Sequence, residues 1–371
     1  MLPPLINHSP DLKQLWDEGY VLEIRGAFLL VHEVPYVNSK KEIKKGTLVS
    51  SLILSSPERT AAPDTHVIEF IGDHPCNKDG SIITGIQHGS NKKNLGNGII
   101  VDHSFSNKPR TGTYPNYYEK VSRYCEMITA PAKSLDPDVT EKMFLVIQPE
   151  ETESVFNYLD TNSTRADICN ISEKLANLKI AIIGLGGTGS YILDLVAKTT
   201  VKEIHLFDGD YFFVHNAFRT PGAPSYEQFN ERLRKTEYLK SIYSNMHRGI
   251  VVHNDYIDEN NVGQLSDFDF VFLSMDGGSA KKIIITYLEE KEISFIDVGI
   301  GVQVVEEQLI GIVSTTTSTK DKRDHVAKRI SFTDGKNNEY SKNIQISELN
   351  ALNAVHAVIK WKKLFGFYQD L

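Results

Sequence analysis

The run Gly184-Leu185-Gly186-Gly187-Thr188-Gly189-Ser190 has the composition of a phosphate-cradling loop. It follows the apolar stretch Leu178–Ile183 and precedes a helical pattern. In that setting glycines let backbone N–H groups approach phosphate oxygens, and the helix N-terminus adds partial positive charge. The next strand ends in Phe207-Asp208-Gly209-Asp210, where an acidic side chain can take ribose hydroxyls. Up to this point a nicotinamide- or flavin-dependent oxidoreductase and an ATP enzyme fit equally well. The residues that follow separate them. Asn216 and Arg219 lie eight and eleven residues after Asp208, Lys235 sits early in the next helix, and Asp276 ends a later strand. A hydride carrier has little use for an arginine, a lysine and a carboxylate gathered at the phosphate end. An enzyme that directs a nucleophile at the ATP α-phosphorus needs them, because the cations neutralise the triphosphate and the aspartate can hold Mg²⁺. Taken singly, Asp208 and Asp276 are also ordinary caps of turns and helices. The ordered set carries the reading.

In that order and spacing the residues resemble the ThiF/MoeB and ubiquitin-activating superfamily of adenylyltransferases, over roughly Leu178–Leu371. The resemblance implies that Gly184, Gly186, Gly187, Gly189 and Ser190, with Asp208 and Asp210, hold the nucleotide. It implies that Asn216, Arg219 and Lys235 contact phosphates and that Asp276 binds Mg²⁺. The implied cofactors are ATP and Mg²⁺; zinc is not expected, since the C-x-x-C pairs of many relatives are absent. The implied reaction is attack of a protein's C-terminal carboxylate on the α-phosphorus, giving an acyl-adenylate and pyrophosphate. The implied partners are a ubiquitin-like protein, a conjugating-enzyme-like protein and a second copy of the chain in a homodimer. Three positions depart from the family pattern: Thr220 where glutamine is common, Gly277 where asparagine is frequent, and Lys281 where arginine is usual. None removes a charge that adenylation needs. Two other readings stand beside this one: adenylation of a different carboxylate, as in peptide maturation or tRNA-base modification, and a dinucleotide-dependent oxidoreductase.

Ubiquitin-activating relatives usually carry an acceptor cysteine in a crossover loop, which here spans residues 314–343 and contains no cysteine. The activated carboxylate therefore passes directly to a partner, or a loop hydroxyl is acylated to an oxyester. A hydroxyl needs a base to act as a nucleophile. His325 is the one loop histidine, and Ser331 and Ser318 are the candidate acceptors by position.

The elements that must position these residues divide the chain. Twelve of its fourteen prolines lie between Pro3 and Pro149. A loop-rich α+β domain is expected over 1–170, serving partner recognition and resembling the extra domain fused to ThiF-type enzymes in bacterial ubiquitin-like conjugation systems. An α/β domain is expected over 171–371, with the divide in the stretch up to Leu175. In the first, strands are read at Tyr20–Ile24, Phe28–Val31, Leu48–Leu54, His66–Ile71, Ile82–Gln87, Gly98–Val101 and Met143–Ile147, with helix within Tyr114–Ile128. In the second, strands alternate with helices, which predicts a Rossmann-like, mostly parallel sheet with helices on both faces. Its elements are strands Leu178–Ile183, Glu203–Phe207, Ile250–Asn254, Phe270–Ser274, Phe295–Val298 and Val302–Val313, and helices Thr188–Lys198, Tyr226–Asn245, Ser279–Lys291 and Ser347–Phe365. Leu349, Leu352, Val355 and Ile359 recur at helical spacing and read as a core-packed stripe.

Composition agrees with a folded protein of two domains: 371 residues, 40% apolar and 24% charged. A net charge of −8 argues against a nucleic-acid coat protein, and no run approaches a membrane span. Three scattered cysteines and the lack of a secretory signal point to the cytoplasm. His74-Pro75-Cys76, with His66 nearby, matches no zinc spacing, and the lysines around Glu42 read as a solvated face. Asp102-His103-Ser104 is a sequence triplet, whereas catalytic triads assemble in space.

Overall fold

The structure, a computed structural model, describes residues 3–147, 154–330, 332 and 344–370. The chain separates into two compact units, Met1–Ser154 with Tyr158–Ile171, and Val155–Asn157 with Ser172–Leu371.

The first unit is built on an antiparallel sheet of β1 (Val21–Arg25), β2 (Phe28–Val37), β3 (Ile43–Ser51), β4 (Val67–Ile71), β5 (Gln87–Gly89) and β6 (His103–Ser106). Their spatial order is β1-β2-β3-β4-β6-β5. Helices α1 (Pro4–His8), α2 (Pro10–Asp17) and α3 (Tyr117–Leu135) bury their apolar residues against one face of it. Helix α3 starts where the Asn116 side chain accepts the Glu119 N–H at 2.8 Å. It runs on through Pro131 to Leu135 instead of stopping at Ile128. Tyr117, Val121, Tyr124, Ile128 and Ala132 all point into the core, and that burial offsets the hydrogen bond that Pro131 cannot donate. Three expected strands are corrected. The ladder around Leu48 is Ile43–Ser51. Thr84–Ile86 is a 3₁₀ turn that delivers the chain to β5. Among the described residues Met143–Ile147 joins no sheet; its neighbour Lys142 forms an isolated bridge to Tyr20.

The second unit contains β7 (Lys179–Ile183), β8 (Glu203–Phe207), β9 (Ile250–His253), β10 (Phe270–Leu273), β11 (Ser294–Val305) and β12 (Gln308–Ser318). The order is β9-β8-β7-β10-β11-β12, with the first five parallel and β12 antiparallel to β11. Helices cover both faces. Ile180 and Ile182 meet α4 (Gly187–Val196), α5 (Lys235–Tyr243) and α7 (Ser347–Leu364), while Ala181 and Ile183 meet α6 (Ser279–Glu290). This alternation is why Leu178–Ile183 reads as a continuous apolar run: both faces of β7 are buried. The expected Rossmann-like fold is the one observed. The chain winds from β7 out to β9, then returns to β10 on the other side of β7. The switch point between β7 and β10 is where such sheets bind ligands, beyond the carboxyl ends of the strands.

Three features of this unit differ from expectation. The helix read over Tyr226–Asn245 is two, Tyr226–Asn230 and α5, broken where Arg232 takes φ +50°. Strands read as Phe295–Val298 and Val302–Val313 are one hairpin, turning through Glu306 and Glu307 at φ +50° and +65°. That left-handed pair matches the twist of the strands, but it usually carries Asn-Gly, so Glu-Glu gave no signal. Finally, α7 is turned over. Its buried residues are Asn350, Asn353, Ala354, Ala357, Val358 and Trp361, while Leu352, Val355 and Ile359 face outward. The inward asparagines are tied to the sheet: Asn353 Nδ2 donates to the Gly299 carbonyl at 2.9 Å, and Thr188 donates to Asn350 Oδ1 at 2.8 Å.

Candidate functional site

The glycine loop leaves β7 at the switch point. Gly184 takes φ +86°, a conformation that favours glycine, and its N–H donates to the Phe207 carbonyl at 2.9 Å. Gly189 is required for a different reason: a β-carbon there would run into the Gly184 carbonyl. Gly189→Ala is therefore expected to shift the loop and cost about 1–3 kcal/mol. A thermal-unfolding comparison checks this, and an unchanged midpoint would show that the loop has slack.

Asp208 is buried and serves as the joint between loop and sheet. Its Oδ2 accepts the Leu185 N–H at 2.7 Å and its Oδ1 accepts the Asp210 N–H at 2.8 Å. Lys235 is buried beside it, Nζ lying 3.4 Å from Asp208 and 2.6 Å from Asp210. The helix break places it there. Arg234 is extended and donates its N–H to Glu237 at 3.1 Å, so Lys235 becomes the first residue of α5 and its own N–H reaches the Asp210 carbonyl at 2.9 Å. Asp210 is half exposed. Burial alone would raise its pKa, but hydrogen bonds from Lys235 and Tyr256 outweigh that and hold the carboxyl below the usual range. The Tyr256 phenol is pushed up to about 12, chiefly by the same hydrogen bond to Asp210.

Asn216 and Arg219 bring two buried donors to this end of the sheet. Asn216 uses Oδ1 to accept the Phe213 N–H at 2.8 Å, which leaves its buried Nδ2 without a partner. Arg219 Nε is likewise buried without a partner. Burial lowers the Arg219 pKa, and the charges of Asp276 and Asp210 pull it back up, so the guanidinium sits near both carboxylates. A buried donor left unpaired costs roughly 1–3 kcal/mol. Two of them suit a ligand rich in acceptor oxygens.

Asp276 follows β10 and lines a cleft of about 820 Å³. Gly186 and Gly187 form one end of it, and Gly299, Gly301, Gln303, Ile310 and Ile312 of the hairpin form a long wall. Lys281 and Asp297 lie in the same cleft as a buried ion pair, 2.6 Å apart. Burial pushes the Asp297 pKa up, with Lys281 opposing. Asn350 Nδ2, buried without a partner, also borders the cleft.

The structure thus joins Asp208 to the glycine loop and to Lys235 and Asp210, sets Arg219 within electrostatic reach of Asp210 and Asp276, and lines one cleft with Gly186, Gly187 and Asp276. Two candidates stand apart. Ser190 is fully buried, and its hydroxyl donates to the Gly187 carbonyl at 2.7 Å, so it holds the helix start and is not presented to a nucleotide. Ser318 is corrected as an acyl acceptor: it lies on β12, not in a loop, and is 0% exposed. Ser331 lies outside the described residues. All three cysteines are buried in the first unit, and burial pushes the Cys76 and Cys125 thiols up. Asp297, Tyr256 and Asn350 went unread. A lone carboxylate inside the apolar stretch Phe295-Ile296-Asp297-Val298 was the available signal for the first; Tyr256 and Asn350 had none.

A Rossmann-like sheet with a glycine loop at its switch point is an arrangement suited to nucleotide binding. Residues 164–305 match the ThiF family and residues 10–161 match a domain of unknown function, DUF6791. Most of the ThiF match falls on the second unit. The chain is similar to a tRNA threonylcarbamoyladenosine dehydratase of Haemophilus influenzae, 25% identical over 135 residues. That match takes in 34% of this chain and 49% of the relative, so the chain spans about half of the relative's length. Among solved structures, it is similar to E. coli MccB with ATP (TM-score 0.44, 17% identity, 57% of this chain and 66% of that one). It is also similar to the E. coli tRNA threonylcarbamoyladenosine dehydratase TcdA in complex with ATP (TM-score 0.40, 17% identity, 55% of this chain and 92% of that one). Among the described residues no helix is long and apolar enough to cross a membrane.

Proposed function

We propose that this protein activates the C-terminal carboxylate of a ubiquitin-like protein by adenylation with Mg-ATP. The observation that carries the reading is the pair of buried, unpartnered donors, Asn216 Nδ2 and Arg219 Nε, the latter within electrostatic reach of Asp276 and Asp210. Those donors take phosphate oxygens. Arg219 stabilises the charge that develops as the carboxylate oxygen bonds to the α-phosphorus and the bond to the β-phosphate oxygen breaks. Lys235 pairs with Asp208 and Asp210 and fixes both, and Asp210, the half-exposed one, receives ribose hydroxyls.

One carboxylate fits magnesium, which is usually held by one or two carboxylates together with phosphate oxygens. Among the described residues no group of three His, Cys, Asp or Glu side chains is arranged for a metal, so Asp276 would hold the ion with the triphosphate. Bound there, Mg²⁺ would neutralise charge on the pyrophosphate. The cleft that Asp276 lines, about 820 Å³, has the volume for a peptide-like chain end, which supports a protein tail as substrate. Adenylation of a carboxylate on a tRNA base is the second reading, favoured by the Haemophilus relative.

ATP–pyrophosphate exchange tests both. Exchange stimulated by a ubiquitin-like protein and lost in Asp276→Ala supports the proposal. Exchange stimulated only by tRNA favours the second reading, and exchange with neither sinks adenylation. Retained exchange in Asp276→Ala removes that residue from the metal role.

A further inference from the structure

We propose that Ser90 is an activated nucleophile that receives an acyl group as an oxyester, with His103 as its general base. The register of the first unit's sheet creates the pair. Strand β5 runs antiparallel to β6 with Gly89 opposite Ser104, so the next residue, Ser90, comes level with His103. Ser90 Oγ lies 3.0 Å from His103 Nδ1. That is the hydroxyl–imidazole distance a base-activated serine needs. The step uses the neutral tautomer with its proton on Nε2, which leaves Nδ1 to accept the Ser90 proton.

The surroundings support a neutral imidazole. Burial is the largest influence lowering the His103 pKa, followed by the His74 ring, whose centroid is 4.8 Å away; Asp102 and Asp73 face it and pull the other way. The net effect is downward, so His103 is unprotonated and able to act at neutral pH. Ser90 itself is exposed, at the end of an edge strand.

In the step assigned here, Ser90 Oγ bonds to the acyl carbon of an acyl-adenylate and its proton moves to His103 Nδ1. The bond from the acyl carbon to the AMP phosphate oxygen breaks, and AMP leaves with the electron pair. The oxyester then waits for an acceptor nucleophile. The identity of the acyl donor rests on the adenylation reading; the reactivity of Ser90 does not. This chemistry would be lodged in a unit that matches only a domain of unknown function, and it offers a hydroxyl where the buried cysteines offer no accessible thiol.

The test labels the full chain with a fluorophosphonate probe, in which the serine oxygen bonds to phosphorus and fluoride leaves. The adduct is mapped by mass spectrometry. The expected result is one adduct, on Ser90, absent in Ser90→Ala and formed about 10²-fold more slowly in His103→Ala. The labelling rate should rise through a titration below the ordinary histidine value and be flat by pH 7. Ser90→Cys should restore covalent capture, now by iodoacetamide. No adduct, an adduct that survives Ser90→Ala, or a rate indifferent to His103→Ala would each overturn the assignment. Pyrophosphate exchange by the unaltered chain is measured in parallel. If it fails while Ser90 still labels, the adenylation reading falls and the nucleophile stands.

Discussion

Arg219→Ala is expected to slow ATP–pyrophosphate exchange by about 10²–10³-fold, the usual effect of removing one preorganised donor from a developing negative charge. The guanidinium is half-buried within electrostatic reach of Asp276 and Asp210, and its Nε has no partner in the protein. Its removal therefore breaks no internal hydrogen bond at that atom, and the loss should appear in exchange much more than in stability. Arg219→Lys should rescue only part of the rate, because the point charge is kept but the planar fork is lost. Comparing exchange rates at saturating ATP with thermal midpoints separates the two effects. A variant that loses stability and exchange in proportion would show Arg219 to be structural.

Lys281→Ala should destabilise the second unit by about 3–5 kcal/mol, because it strands a buried carboxylate. Asp297 and Lys281 are both nearly inaccessible and lie 2.6 Å apart. The deficit has a definite pH dependence. Burial already raises the Asp297 pKa above its unfolded value, and loss of Lys281 raises it further. The ionised form is then penalised only in the folded state. The cost is therefore fully present above the folded pKa and fades as pH falls through it, down to the unfolded value. Urea unfolding of Lys281→Ala at pH 7 and pH 5 checks the sign, and a variant that gains stability on going up in pH would contradict it. Replacing both residues with apolar ones of similar size should recover most of the loss.

These predictions depend on residues that were unequally legible in the sequence. The glycine loop, Asp208 and Asp276 stood out because strand, turn and helix give local signals of short range. The parallel sheet followed from their alternation. What failed were features set by tertiary packing. The stripe Leu349, Leu352, Val355 and Ile359 has good helical periodicity, yet α7 buries Asn350 and Asn353 because Thr188, Gly299 and Thr315 supply their partners. Amphipathicity alone cannot see those partners. The Glu306–Glu307 turn carries no turn-favouring residue, so two strands merged into one. The ion pairs of Lys235 with Asp208 and Asp210 depend on a helix break that the sequence does not announce. The Ser90–His103 pair is thirteen residues apart and arises only from sheet register.

The most direct test of the central claim is the identity of the nucleotide product. The full chain is incubated with Mg-ATP, a ubiquitin-like protein ending in a free carboxylate, and hydroxylamine to intercept the activated acyl group. Cleavage at the α-phosphorus predicts AMP and pyrophosphate in amounts equal to the hydroxamate formed, and no AMP when the terminal carboxylate is amidated. ADP and inorganic phosphate as the products would contradict the account.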